Sequence, residues 1–163
     1  MKYDVISAGE PVIDFVPVDT QEGLVYRAYP GGGAVNVLAE VCAMGGNALL
    51  LGVVGQDHFG EFLLEEVKKR GIDVSGIYRT VKRNTGIGFV RLSQEGERSF
   101  LSYRDYDTEV RLYRHEDLKA AEQCRIFHFT SVSLVSEIQR EDTFLAAFLA
   151  AKTGLLSFDV NYR

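Results

Sequence analysis

The chain has 163 residues, a length that suits one domain, and 46% of them are hydrophobic, enough for a sizeable core. A formal net charge of −5 argues against a nucleic-acid partner, whose phosphates are met by a basic surface. Cys42 and Cys124 stand far apart without a CxxC pair, and none of the three histidines has a second histidine or a cysteine at metal spacing, so neither a disulfide framework nor a metal site is expected. No apolar run approaches the ~18 residues of a membrane span, and the first residues lack the apolar core of a secretion signal, so the expectation is a cytoplasmic protein without a membrane partner.

Residues 3–8 read as a strand, and residues 12–18 and 24–29 as two further extended segments after Gly9-Glu10-Pro11. A glycine block follows, Gly31-Gly32-Gly33-Ala34-Val35-Asn36. Val35, Leu38, Ala39 and Cys42 then recur at helical spacing until Gly45-Gly46 stop the helix. Residues 48–54 read as a buried strand. Asp57 opens a second helix in which Phe59, Leu63 and Val67 share a face, with Lys68, Lys69 and Arg70 in the last turn before Gly71. Residues 86–93 and 98–104 flank Gln94-Glu95-Gly96-Glu97 as a hairpin with apolar residues on both faces, Ile87 and Phe89 on one, Val90 and Leu92 on the other. Such a hairpin covers a ligand, a partner subunit, or both. A short acidic helix start at His115-Glu116-Asp117 precedes a return of β-α-β rhythm at residues 126–130, 143–152 and 155–160. Strands alternating with helices predict a parallel sheet covered on both faces.

Three glycines let backbone amides approach a ligand, and the first amides of the next helix lack partners within it. Asn36 adds a donor and an acceptor suited to hydroxyl groups. The block therefore reads as a sugar or polyol seat, or as a plain tight loop capping a core helix. Asp14, inside Val12-Ile13-Asp14-Phe15-Val16, is either a buried carboxylate that a hydroxyl pair satisfies or an edge-strand residue facing water. Asp57 is expected to cap its helix, His58 to face solvent, and His128 to be a hydrogen-bonded core residue. Arg104 and Arg163 are suited to bidentate contact with carboxylate, phosphate or vicinal hydroxyls, and Arg104 equally to a pair with Asp105 or Asp107. The glycine block lacks the third glycine of a dinucleotide fingerprint, and no P-loop motif is present in this stretch. The chain stops at Arg163, three residues past a buried strand and inside Asp159-Val160-Asn161-Tyr162-Arg163, where site residues of an open α/β sheet are expected. A C-terminal truncation is therefore expected.

Taken in order, several blocks resemble the N-terminal half of a ribokinase-like (PfkB) sugar kinase of the fructokinase branch. They are Gly9-Glu10-Pro11-Val12-Ile13-Asp14-Phe15, Pro30-Gly31-Gly32-Gly33-Ala34-Val35-Asn36, Gly52-Val53-Val54-Gly55-Gln56-Asp57, Gly96-Glu97-Arg98, Tyr103-Arg104, Ile126-Phe127-His128-Phe129, and Ser157-Phe158-Asp159 with Asn161 and Arg163. The resemblance implies a three-layer α/β/α fold with a mostly parallel sheet, filling residues 1–163, and a small β-sheet lid from residues of about 12–30 and 86–104. It implies ATP- and Mg²⁺-dependent phosphorylation of a sugar hydroxyl, with fructose favoured and a sugar acid such as 2-keto-3-deoxygluconate as the alternative acceptor. Asp14, Gly32, Gly33 and Asn36 match sugar-contacting positions, and Phe89, Tyr103, Arg104, Asn161 and Arg163 join them as substrate-side residues. The catalytic aspartate and nucleotide pocket of such a kinase lie C-terminal to Arg163, so the 163-residue chain alone is expected to be inactive, and the whole protein to dimerise through its lid. Val160, Asp105-Tyr106-Asp107-Thr108 and Val35 depart from the family pattern and bear on which sugar is held. A non-catalytic sugar-binding or dimerisation module is the reading from a different class.

Overall fold

Runs that are apolar on both faces can be satisfied only between two layers of helix. The computed structural model describes residues 1–20, 23–92, 98–104 and 110–162, and it sorts nine strands into two sheets. In chain order they are β1 (Tyr3–Ala8), β2 (Val12–Val18), β3 (Val25–Gly31), β4 (Ala48–Gly55), β5 (Ile77–Thr80), β6 (Ile87–Leu92), β7 (Arg98–Tyr103), β8 (Cys124–Thr130) and β9 (Leu155–Asp159). Helix α1 (Gly33–Ala43) lies between β3 and β4, α2 (His58–Lys69) between β4 and β5, and α3 (Glu137–Ala150) between β8 and β9.

The larger sheet has the order β5-β4-β1-β8-β9, and all of its neighbours are parallel. Successive side chains point to opposite faces, so the inner strands β1, β4 and β8 feed two cores. On one face Val5 and Leu50 pack with Val35 and Leu38 of α1 and Leu63 and Val67 of α2. On the other, Ile6, Leu51 and Phe127 pack with Ala146, Ala147 and Ala150 of α3 and with Leu118 of a 3₁₀ helix at His115–Gln123. The result is the three-layer α/β/α arrangement expected from the β-α rhythm. Burying a side chain such as Phe127 or Leu51 contributes roughly 1.5–3 kcal/mol each.

Helix α2 illustrates the local logic. The Asp57 carboxylate accepts from the Gly60 amide at 2.8 Å, Glu61 sits in the first turn, and Lys68 and Lys69 sit in the last, so both ends of the helix dipole are complemented. Phe59 is 42% exposed rather than part of the buried face, and it meets Phe15 of β2 edge-on at 5.9 Å. The helix thus touches both sheets.

The smaller sheet has the order β3-β2-β6-β7, antiparallel at its two outer pairs and parallel at its centre. The expected hairpin turn at residues 94–97 lies outside the described residues. Several boundaries differ from the sequence reading. Strand β3 extends through Gly31, α1 begins at Gly33, α3 begins at Glu137, and the acidic helix is of the 3₁₀ type. Strand β5 was not anticipated, because its four residues carry half-exposed Ile77 and Tyr78 and exposed Arg79 without an apolar alternation. Among the described residues no helix is long and apolar enough to cross a membrane.

Candidate functional site

In an open parallel sheet, ligands sit beyond the carboxyl ends of the strands, where the chain order reverses direction. Here that point lies between β1 and β8. Strand β4 pairs with one side of β1 and β8 with the other. The glycine block stands at this crevice: a Cβ on Gly33 would come within 2.9 Å of Cγ2 of Thr130, the last residue of β8.

Each glycine of the block has its own steric reason. Gly32 has φ of +100°, in the region that disfavours other residues, and a Cβ there would lie 2.7 Å from the Glu10 carbonyl oxygen. At Gly31 a Cβ would lie 2.1 Å from Oδ2 of Asp14. Asp14 is half-buried on β2, opposite Tyr29 and Gly88, and β2 is an interior strand, so the edge-strand alternative does not apply. Gly31 and Gly88 leave its carboxylate the room that side chains would fill. Among the described residues no side chain caps α1, whose first helical hydrogen bond runs from the Asn36 amide to the Gly32 carbonyl at 3.0 Å. The amides preceding Asn36 therefore start the helix without intrahelical partners, and the exposed Asn36 side chain stands on that first turn.

A buried charge pair underlies this seat. Glu10, just beyond β1, accepts from Arg83 Nη2 at 2.8 Å, and the two side chains are only 5% and 2% exposed. Burial pushes the Glu10 carboxyl up from the ordinary range, against the opposing pull of Arg83 and Arg104. Arg104 follows β7 and lies near Glu10 across Gly86, where a Cβ would sit 3.4 Å from Arg104 Cγ and 3.5 Å from Glu10 Oε1.

The other expected site residues are dispersed. Opposed residues in a ladder share a face, so Phe89, which pairs with Phe15, lies on the face opposite to Asp14. Tyr103 pairs with Ile87 on that same face and meets the Phe89 ring edge-on at 6.0 Å. Phe89 also stacks on Phe15 at 5.1 Å and meets Tyr26 edge-on, forming an aromatic cluster behind the sheet. Asn161 follows β9 with φ of +48°, and its amide donates to Asp159 Oδ1 at 2.8 Å; Asp159 pairs with Thr130, which places this turn along the same carboxyl edge. Arg163, Asp105 and Asp107 lie outside the described residues.

Asp57 does more than cap. Its carboxylate also accepts from the Thr85 amide at 2.7 Å and the Thr85 hydroxyl at 2.9 Å. Burial pushes that carboxyl up, but the hydrogen bonds from Thr85 and Gly60 outweigh it and hold the group below the ordinary carboxylate value. His58 is exposed, and buried His128 pairs through Nδ1 with Ser157 Oγ at 2.9 Å, as a core histidine should. A shallow depression of about 300 Å³ beside α1 is lined by Asn36, Val37, Ala39, Glu40 and Arg70.

Sequence reasoning missed Glu10, Arg83 and Thr130. A charged residue held between Gly9 and Pro11, with apolar strands on either side, was the one available signal for Glu10. Nothing local marks Arg83.

Comparison with known proteins bears directly on this arrangement. The model of the pfkB family carbohydrate kinases matches residues 2–163. The chain is 35% identical to probable fructokinase-5 of Arabidopsis thaliana, covering 98% of this chain and 51% of that protein, and 34% identical to fructokinase-1 of rice, Oryza sativa subsp. japonica, with 98% and 51% covered. The structure of a fructokinase from Xylella fastidiosa superposes with a TM-score of 0.84 at 30% identity, over 100% of this chain and 52% of that one; a second structure of that enzyme holds bound ATP and superposes equally well. The chain spans about half the length of the curated relatives it matches. A glycine block at the switch point of a parallel sheet, an aspartate from a second sheet facing it, and a family match along nearly the whole length lead to one assignment: the chain belongs to the pfkB family of carbohydrate kinases.

Proposed function

We propose that this chain supplies the sugar-acceptor half of an ATP-dependent kinase of fructokinase type. The observation that carries the reading is the placement of Asp14 against Gly31, the first glycine of the block that leads into the open end of α1. In this reading the Asp14 carboxylate accepts from a pair of sugar hydroxyls, the Asn36 side chain fixes a third, and the glycine amides lie flat against the ring. Arg104 and the Asn161 turn flank the acceptor, while Phe89 and Tyr103 stiffen the covering sheet from behind.

Phosphoryl transfer is chiefly a matter of positioning the acceptor hydroxyl in line with the γ-phosphate and stabilising the charge that develops. ATP with Mg²⁺ supplies that phosphoryl group when bound. The residues gathered around the glycine block are given the acceptor only. The base that takes the hydroxyl proton and the nucleotide seat are assigned to sequence beyond this chain, for which relatives twice as long leave room. The reading also assigns the exposed outer strands of the small sheet to a homodimer contact, and the protein to the cytoplasm, where its nucleotide is found.

The Arg104 guanidinium keeps one alternative acceptor in view, a sugar acid of the 2-keto-3-deoxygluconate kind, whose carboxylate it can grip. The test uses the complete protein that contains this chain. Asp14→Ala and Asn36→Ala are expected to weaken D-fructose binding in calorimetry by tenfold or more and to leave ATP binding unchanged. Unaltered fructose affinity in both variants removes them from the site, and turnover of 2-keto-3-deoxygluconate without turnover of fructose replaces the sugar.

A further inference from the structure

The chain passes between the two sheets repeatedly, and its crossings converge on one residue. Residues 9–11 join β1 to β2, Gly32 joins β3 to α1, residues 81–86 join β5 to β6, and Arg104 starts the return from β7. Glu10 lies in the first crossing. Its carbonyl oxygen abuts Gly32 of the second, its carboxylate holds Arg83 of the third, and across Gly86 it neighbours Arg104 of the fourth. Arg83 Nη2 also reaches the Val53 carbonyl of β4 at 3.5 Å, so its guanidinium is anchored to the larger sheet.

A buried ion pair is poor value as a source of stability, because two charges must be taken out of water; apolar residues of similar volume commonly do as well or better. What such a pair does provide is a single allowed geometry, in which each charge has a partner in one place. We propose that Glu10 and Arg83 are positioning residues that fix the angle between the two sheets, and thereby the distance from Asp14 on the small sheet to Gly33 and Asn36 on the large one. The part concerning the sugar rests on the acceptor-seat reading above; the part concerning the angle does not. Both side chains are buried, and their effect passes through Asp14, three residues beyond Pro11 along β2, and through Arg104.

The experiment measures the distance between spin labels at Glu65→Cys on α2 and Ser99→Cys on β7, both exposed and the latter on the face away from Asp14, in the complete protein that contains this chain, with Cys42→Ser and Cys124→Ala. The unaltered pair is expected to give one narrow distance distribution. The double variant Glu10→Leu/Arg83→Met, which removes both charges together, is expected to keep its melting temperature and to broaden that distribution at least twofold. A distribution as narrow as the parent's in the folded double variant overturns the proposal. Arg83→Lys supplies a milder check that does not depend on the double variant folding. Amide hydrogen exchange in β2 and β6 is expected to quicken tenfold or more, with β1, β4 and β8 unchanged; a uniform change across both sheets, or none, overturns the proposal as well. D-fructose calorimetry on the Asp14 and Asn36 variants judges the seat reading separately. The unliganded widths judge the strut in either case.

Discussion

All eight residues of β4 in the five-stranded sheet are buried, whereas in the four-stranded sheet β7 leaves Phe100, Leu101 and Tyr103 exposed at 42%, 58% and 58%. The larger sheet is closed between helical layers at β1, β4 and β8 and open along its edge strand β9, where Leu155, Leu156 and Phe158 are exposed. The other rests one face partly on α2, through Phe15 and Phe59, and leaves much of its surface to be covered by something else. Stability is therefore concentrated in the larger sheet, and the smaller one is free to serve as a cover whose position is set at the crossings.

The sharpest test of this contrast is a pair of truncations. Phe127→Ala, in the fully buried centre of the larger sheet, is expected to cost about 3–5 kcal/mol in urea unfolding. Leu101→Ser on the exposed strand is expected to stay within about 0.5 kcal/mol of the parent. Comparable losses would break the division between the sheets. A smaller effect is expected between them. Gly31→Ala puts a methyl group where Asp14 Oδ2 now lies, which should cost about 1–3 kcal/mol and displace the carboxylate, while Gly45→Ala, at positive φ in open space, isolates the backbone strain alone. Differential scanning calorimetry of the two variants separates crowding from strain, and equal losses would mean that Asp14 is not held as described.

The smallest effect is a pH dependence. Because hydrogen bonds hold the Asp57 carboxyl below its unfolded value of 3.8, its contribution is fully present above that value and is lost as pH falls through the lower folded one. Asp57→Asn should lower stability at neutral pH by about 1–2 kcal/mol and flatten the acid limb of a stability curve measured from pH 7 downward. An acid limb as steep as the parent's would assign that limb to other carboxylates.

The legible parts of the molecule are those whose cause is local. Asp57, Lys68, Lys69 and Gly71 mark the ends of α2 within a few residues of where they act, and the apolar run of β4 announces a doubly covered strand. The glycine block and Asp14 stand out as a candidate site in the sequence because three glycines in a row and a carboxylate inside an apolar strand each call for a specific local reason. Register is a different kind of information. Asp14 and Phe15 are neighbours in sequence, and only the pairing of β2 with β6 decides that Phe89 joins Phe15 and not Asp14. The same holds for Glu10 and Arg83, two charged side chains whose burial follows from where four crossings meet. No window of sequence contains both.

The central strand of the larger sheet is also the first one in the chain. Ser7 of β1 donates to the carbonyl of His128 in β8, 121 residues later. At a synthesis rate of about 5–20 residues per second, β1 waits on the order of ten seconds before the partner that flanks it exists. During that interval its apolar residues and an unpaired strand edge are open to wrong neighbours, which is the exposure that comes with setting side by side two strands so far apart in the chain.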